Sequence, residues 1–286
     1  MCATTMKAQA VEPSVGARTG GLRQPRANWP CLPREHESWG MLLFPFISGA
    51  VLAGNADLTL LPALLAVLAV FLIREPIVVI WKRRPERTAA WPTLLLTGGT
   101  LAVSGLWLLL ALPLFWLGVL GGAVIVLTFV YVRAVIGRRQ RSIPLQIVGA
   151  AGLTSSVALA YLAGGRSPDF VLLLLWVAQT VYYTGSVLKI HALIEARKHR
   201  AGTVTDQRAK RGAMMWLAVQ IACAVPFGVG GFLLMGIALT VPTLVHGFDL
   251  HHMDDPARAK IPLRTIGFRE LALSTVFSVL AVLSLC

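Results

Sequence analysis

The sequence predicts an all-α fold: a polytopic integral membrane helix bundle of about nine transmembrane helices. Three observations predict it. Hydrophobic residues make up 56% of the 286-residue chain and charged residues only 14%, where a soluble protein carries roughly 25%. The apolar residues fall in long runs, as membrane spans do. Of the 26 Lys and Arg residues, 24 collect in the tail and in alternate loops, on one side of such a bundle.

The elements follow in order. Residues 1–33 are polar and hold no apolar run, so they are expected to be a disordered cytoplasmic tail rather than a signal peptide. Residues 34–286 then form the transmembrane helical domain. Met41–Gly54 is a short first span with Trp39 at its edge, which suits an interfacial aromatic. Leu58–Trp81 is the second. Pro92–Tyr131 as one straight helix would run roughly 60 Å, twice the ~30 Å hydrocarbon core. It must be two spans, broken at Leu112-Pro113. Ile143–Ala163 is the fifth and Phe170–Ile194 the sixth. Gly212–His246 again needs two, with a tight turn at Gly228-Val229-Gly230-Gly231. Gly267–Leu285 is the ninth.

Charge distribution orients the bundle. The formal charge of +13 would suggest nucleic acid on a soluble protein. Here the basic residues lie in the tail and in the 2–3, 4–5, 6–7 and 8–9 loops. The exceptions are Arg166, in an opposite loop, and Arg74, inside the second span. The positive-inside rule places the N-terminus in and the C-terminus out, in a multi-pass protein of the cell membrane. Nucleic acid is not an expected partner; membrane lipids are. Cys2, Cys31, Cys223 and Cys286 show no metal-ligand spacing, and free thiols are expected.

Polar groups in or against a membrane are costly and are usually paired or functional. Four clusters stand out, all toward the cytoplasmic side. Arg34, His36 and Glu37 precede the first span, either as an ordinary helix start or as a charged plug at the mouth of the bundle. Arg74-Glu75-Pro76 lies at least one turn inside the basic boundary set by Lys82, Arg83 and Arg84. It is either a structural ion pair or a site. Lys189, His191 and Glu195 lie near the end of the sixth span, with His191 and Glu195 four apart on one face. Lys189 stands roughly 28 Å along that helix, so snorkelling to the interface is the plain alternative. The last cluster runs from His246 through Asp249, His251, His252 and Asp254 to Asp255, followed by Arg264 and Arg269-Glu270. Of these, His246, Asp249, His251 and Asp254 are candidate metal ligands, although the spacing fits no standard ligand motif and loop polarity also explains it.

The stretch Arg34-Glu35-His36-Glu37-Ser38-Trp39-Gly40, before an apolar run, resembles the opening of the YwiC-like family of bacterial membrane proteins. Those commonly read R-E-H-G-A-W, with Gly where this chain has Glu37. Arg74-Glu75-Pro76 and Lys189 to Arg197 are similar to further polar positions of that family, so the likeness is expected to span the whole chain. A more distant resemblance is to the UbiA superfamily of intramembrane prenyltransferases, which have nine helices and an active site capped by the 2–3 and 6–7 loops. His191, Glu195, Gly202 and Thr205 are similar in layout to its second motif. That resemblance implies Mg²⁺ ions on a diphosphate. The stretch matching its first motif, Arg74 to Lys82, has one acid, Glu75, so the basic residues are the alternative phosphate ligands.

Three functions follow as expectations. The first is a UbiA-like intramembrane transferase acting on an isoprenoid or other lipid, including a phospholipid, at the cytoplasmic face. Arg34, His36, Arg74, Lys82, Arg83, Lys189 and Arg264 would bind substrate. Glu75, His191 and Glu195 would be catalytic, as general base or as ligands of a single metal such as Mg²⁺. The second is a non-catalytic membrane partner or assembly factor. The third is a transporter of a lipid or small solute.

Overall fold

The computed structural model describes residues 36–82, 87–137, 142–200, 208–253, 255 and 261–286. The expected tail, residues 1–33, lies outside these. Every described element is an α-helix: α1 (His36–Ala53), α2 (Leu60–Lys82), α3 (Arg87–Ala111), α4 (Leu114–Ile136), α5 (Ile143–Thr154), α6 (Ser156–Ala163), α7 (Phe170–Arg200), α8 (Arg208–Val229), α9 (Leu233–His251) and α10 (Leu263–Leu283). Among the described residues, 8 helical stretches are long and apolar enough to cross a membrane, α5 and α6 together forming one of them. The first helix adds a shorter apolar stretch, Trp39–Ala53. The all-helical polytopic bundle is as the sequence predicts.

The environment of α4 shows why the bundle belongs in a bilayer. None of its span is buried inside the protein, and Phe115, Ile125 and Phe129 are exposed. A helix this apolar all round would be a core helix in a soluble protein; at the periphery it needs lipid around it. By contrast 61% of the α7 span is buried, and α7 packs against α1, α5, α6, α8, α9 and α10. It is the axis of the fold. Tyr182 and Tyr183 on α7, Met235 and Leu239 on α9 and Phe277 on α10 are sealed around it. The Tyr182 and Phe277 rings stack with centroids 4.3 Å apart.

The breaks between spans have local causes. The chain leaves helix at Leu112-Pro113, where proline removes a donor. Gly231 takes φ 91 in the turn between α8 and α9, a conformation that costs glycine nothing. The fifth span is interrupted at Ser155, which divides α5 from α6. There Thr154 Oγ1 donates to the Ala150 carbonyl at 3.0 Å and Ser155 Oγ to the Gly152 carbonyl at 2.6 Å. Such back-bonding competes with the ladder and bends helices. The bend seats α6 on α1, where Ser156 Oγ donates to the Leu42 carbonyl at 2.9 Å. A Cβ on Gly49 would lie 2.3 Å from the Val157 carbonyl oxygen, so the two backbones meet only because residue 49 has no side chain.

Two helices run further than hydropathy indicates. The sixth span continues past Ile194 to Arg200, 31 residues in all, or roughly 46 Å. The eighth continues past His246 to His251. His246 and Asp249 are therefore helical residues three apart on one face, not loop residues.

Candidate functional site

A cavity of about 1500 Å³ opens between α1, α2, α3, α4, α5, α6, α7 and α10. Its wall on α4 runs from Leu117 to Tyr131, roughly 21 Å along the helix. Most of that wall is apolar, with Leu117, Leu120, Val124 and Leu127 facing the space and Leu108 on α3 beside them. Gly105, Gly121 and Gly149 give it width, since a Cβ at any of them would meet nothing within 4 Å. Polar groups gather at one end: Arg74, Gln146, His191, Arg264 and Glu270. There α2, α4 and α7 finish and α5 and α10 begin, which is the end that the basic loops assign to the cytoplasm. The crevice is an apolar slot with one charged mouth.

Arg74 stands at that mouth. Its guanidinium lies 5.3 Å from the Phe71 ring centroid and 4.7 Å from that of Tyr131, close enough for cation–π attraction to both. One terminal nitrogen donates to Glu75 Oε1 at 3.3 Å. The Nε is buried and has no partner among the described residues. The rings and the neighbouring acid thus hold the guanidinium in place and leave a donor over. Pro76 does not end α2, which runs on to Lys82.

On the opposite wall, His191 Nδ1 and Gln146 Nε2 are 2.9 Å apart. The amide nitrogen can only donate, so Nδ1 accepts and the proton of a neutral ring sits on Nε2. Glu195, one turn on, is half-buried, but the cavity wall among the described residues includes neither it nor Glu75. Arg197 donates to the Ile261 carbonyl at 2.6 Å, tying the end of α7 to the residues before α10.

Behind the crevice lies a charged cluster shared by α7, α9 and α10. Lys189 on α7 is 0% exposed. Its Nζ donates to Glu270 Oε1 and stands 3.5 Å from Asp249 Oδ2. Glu270 Oε2 accepts from Ser186 Oγ at 2.6 Å and lies 3.1 Å from His246 Nε2. Arg269 donates to Asp249 Oδ2. Two cations thus face two carboxylates. Desolvating them costs several kcal/mol per ion, which only close pairing and hydrogen bonds offset. This corrects the snorkelling alternative for Lys189: the side chain turns inward, to acids 60 and 81 positions away in the chain.

The sequence-derived candidates therefore separate. The structure brings Arg74, His191 and Arg264 to the crevice mouth, places Glu75 against Arg74, and puts Lys189 in the buried cluster. Arg34 and Arg83 lie outside the described residues, as do the side chains of His36 and Lys82. Among the described residues the proposed metal ligands do not converge. His246 and Asp249 are engaged in ion pairs, and His251 is exposed with its ring edge-on to His252. Asp254 lies outside the described residues, as do Gly202 and Thr205. No group of three or more His, Cys, Asp or Glu among the described residues could hold a metal ion. The donor set also fits Mg²⁺ poorly, because the acids near the mouth are paired with Arg74 and Lys189. Gln146, Ser186 and Glu270 were not among the expected site residues. Gln146 and Ser186 show only as polar residues inside apolar runs, and Glu270 only as the tail of the last polar cluster.

Fold and site together define an integral membrane protein of the helical-bundle class. Residues 32–161 match the family model described as YwiC-like protein, as the Arg34-to-Gly40 segment suggests. The match takes in α1 to α5 and most of α6; α7 to α10 lie beyond it. No curated protein and no solved structure matches the chain.

Proposed function

We propose that this protein is an intramembrane transferase of UbiA-like layout. It would act on an isoprenoid or phospholipid at the cytoplasmic face of the cell membrane. The observation that carries the reading is the crevice, mostly apolar over roughly 21 Å, with its ionisable residues, Arg74, His191, Arg264 and Glu270, gathered at the mouth. An isoprenoid or acyl chain would lie between α2, α3, α4 and α5. The Arg74 and Arg264 guanidinium groups would hold an anionic phosphoryl group directly, as arginine does without a metal. His191 lies on the cavity wall with Gln146 donating to its Nδ1, so its Nε2–H would donate a hydrogen bond to the phosphoryl group, whereas Glu75 is held by Arg74.

Purified protein in lipid vesicles, given a long-chain isoprenyl diphosphate and an aromatic or hydroxyl acceptor, should release pyrophosphate above empty vesicles. Arg74→Gln and His191→Ala should each reduce that release at least ~100-fold, within the range of electrostatic and positioning effects. Equal release from wild type and both variants would contradict the assignment.

A further inference from the structure

The crevice is closed at the end away from its charged mouth. Its outermost wall residues are Ala66 on α2, Leu109 on α3, Leu117 on α4 and Leu159 on α6. About one helical turn beyond them stand Ala63, Leu112 and Ala163, which belong to a packed apolar cluster and do not line the space. Leu117 itself packs against that cluster. The mouth is fixed as well, because the Arg74 guanidinium lies 4.7 Å from the Tyr131 ring centroid. Tyr131 and Leu117 thus mark the two ends of the slot on α4, roughly 21 Å apart. An extended carbon chain advances about 1.2 Å per bond, since three backbone bonds carry a residue ~3.6 Å. About 17 bonds therefore reach from the mouth to the closed end. An isoprene unit supplies four such bonds along the chain, so about four units fit.

We infer that the crevice selects its lipid by chain length: it takes a phosphorylated chain of about four isoprene units, or an alkyl chain of the same extent, with Leu117 setting the limit. The inference rests on the lipid reading above and narrows its ligand. A shorter chain leaves the far end unfilled, and the wall there forfeits its dispersion contacts. A longer chain must push into the packed cluster, and overpacking is unfavourable. Lipid or detergent tails are about as apolar as the leucines of the wall, so fit rather than transfer from water decides between chains.

The test is a length series titrated into the delipidated full chain in detergent. One arm uses isoprenyl diphosphates of two, four and six units, and the other alkyl phosphates of matched lengths, each compared at equal mole fraction in the micelle. The four-unit length should bind the wild type at least about tenfold more tightly than either neighbour. Leu117→Trp should move the optimum to a shorter chain, and the wild-type series stands whether or not the variant folds. An optimum in the isoprenyl arm alone identifies a prenyl ligand, and one in the alkyl arm alone an acyl ligand. Equal binding of four and six units in both arms, or an optimum unmoved in folded Leu117→Trp, overturns the inference. It leaves the lipid reading intact if Gly121→Phe still abolishes binding. Binding of no probe, or binding insensitive to Gly121→Phe, overturns both.

Discussion

Lys189 on α7 and Glu270 on α10 form an ion pair with side chains 1% and 5% exposed, at the centre of the buried cluster that α7, α9 and α10 share. The pair joins the central helix to the last one, and Glu270 carries it to the wall of the crevice. Removing one partner leaves an uncompensated buried charge, which costs about 3–5 kcal/mol. Lys189→Met and Glu270→Gln should each lower the thermal midpoint in detergent sharply. The double variant should be more stable than either single one, because Asp249 keeps Arg269. Additive losses in a double-mutant cycle would contradict the coupling.

Arg74 is held by two rings and keeps a free Nε. Lysine offers neither the planar face nor that donor. Arg74→Lys should weaken lipid retention about tenfold while leaving the melting temperature within a few degrees. A complementation or binding assay that tolerates Arg74→Lys would instead favour a non-catalytic partner role, in which only charge matters.

The α1–α6 contact depends on the missing side chain at residue 49. Gly49→Ala puts a methyl group 2.3 Å from the Val157 carbonyl oxygen, and the helices must separate. Overpacking of this kind costs about 1–3 kcal/mol. A fall in stability is expected, larger than for Gly98→Ala, where a Cβ meets nothing within 4 Å.

Asp169 sits in the loop before α7. Burial pushes its carboxyl up, but the Leu172 N–H, the Tyr161 hydroxyl and nearby Arg166 outweigh this and hold it below the ordinary value of 3.8. A carboxylate with a depressed folded pKa stabilises above its unfolded pKa and loses that contribution as pH falls through the folded one. The wild type should therefore exceed Asp169→Asn in melting temperature above about pH 4, and the difference should narrow below it. A difference that does not change with pH would show that the carboxylate's charge is not what matters.

How much was legible in the sequence depends on the range of the interaction. The spans follow from hydropathy, the Leu112-Pro113 break from proline, and the Gly231 turn from its glycines, all local causes. Arg74 was legible because an arginine one turn inside a basic boundary needs an explanation wherever it points. Lys189 was not, because its direction is set by Asp249 and Glu270 on other helices. Ending the eighth span at His246 hid the spacing that turns His246 and Asp249 inward. Glu270 stands in the sequence only as the tail of the last polar cluster, because its partners Lys189 and Ser186 lie on α7. Gln146 became significant only through His191, 45 residues later.

The central claim is that the crevice holds the chain of a lipid. Native mass spectrometry of protein released from membranes, comparing wild type with Gly121→Phe, tests it most directly. Phenylalanine at 121 fills the slot from a position with no atom within 4 Å of its Cβ, so the fold should survive. The account predicts one lipid retained per wild-type chain and at least a tenfold loss in Gly121→Phe at unchanged melting temperature. Equal lipid retention by both proteins would contradict it.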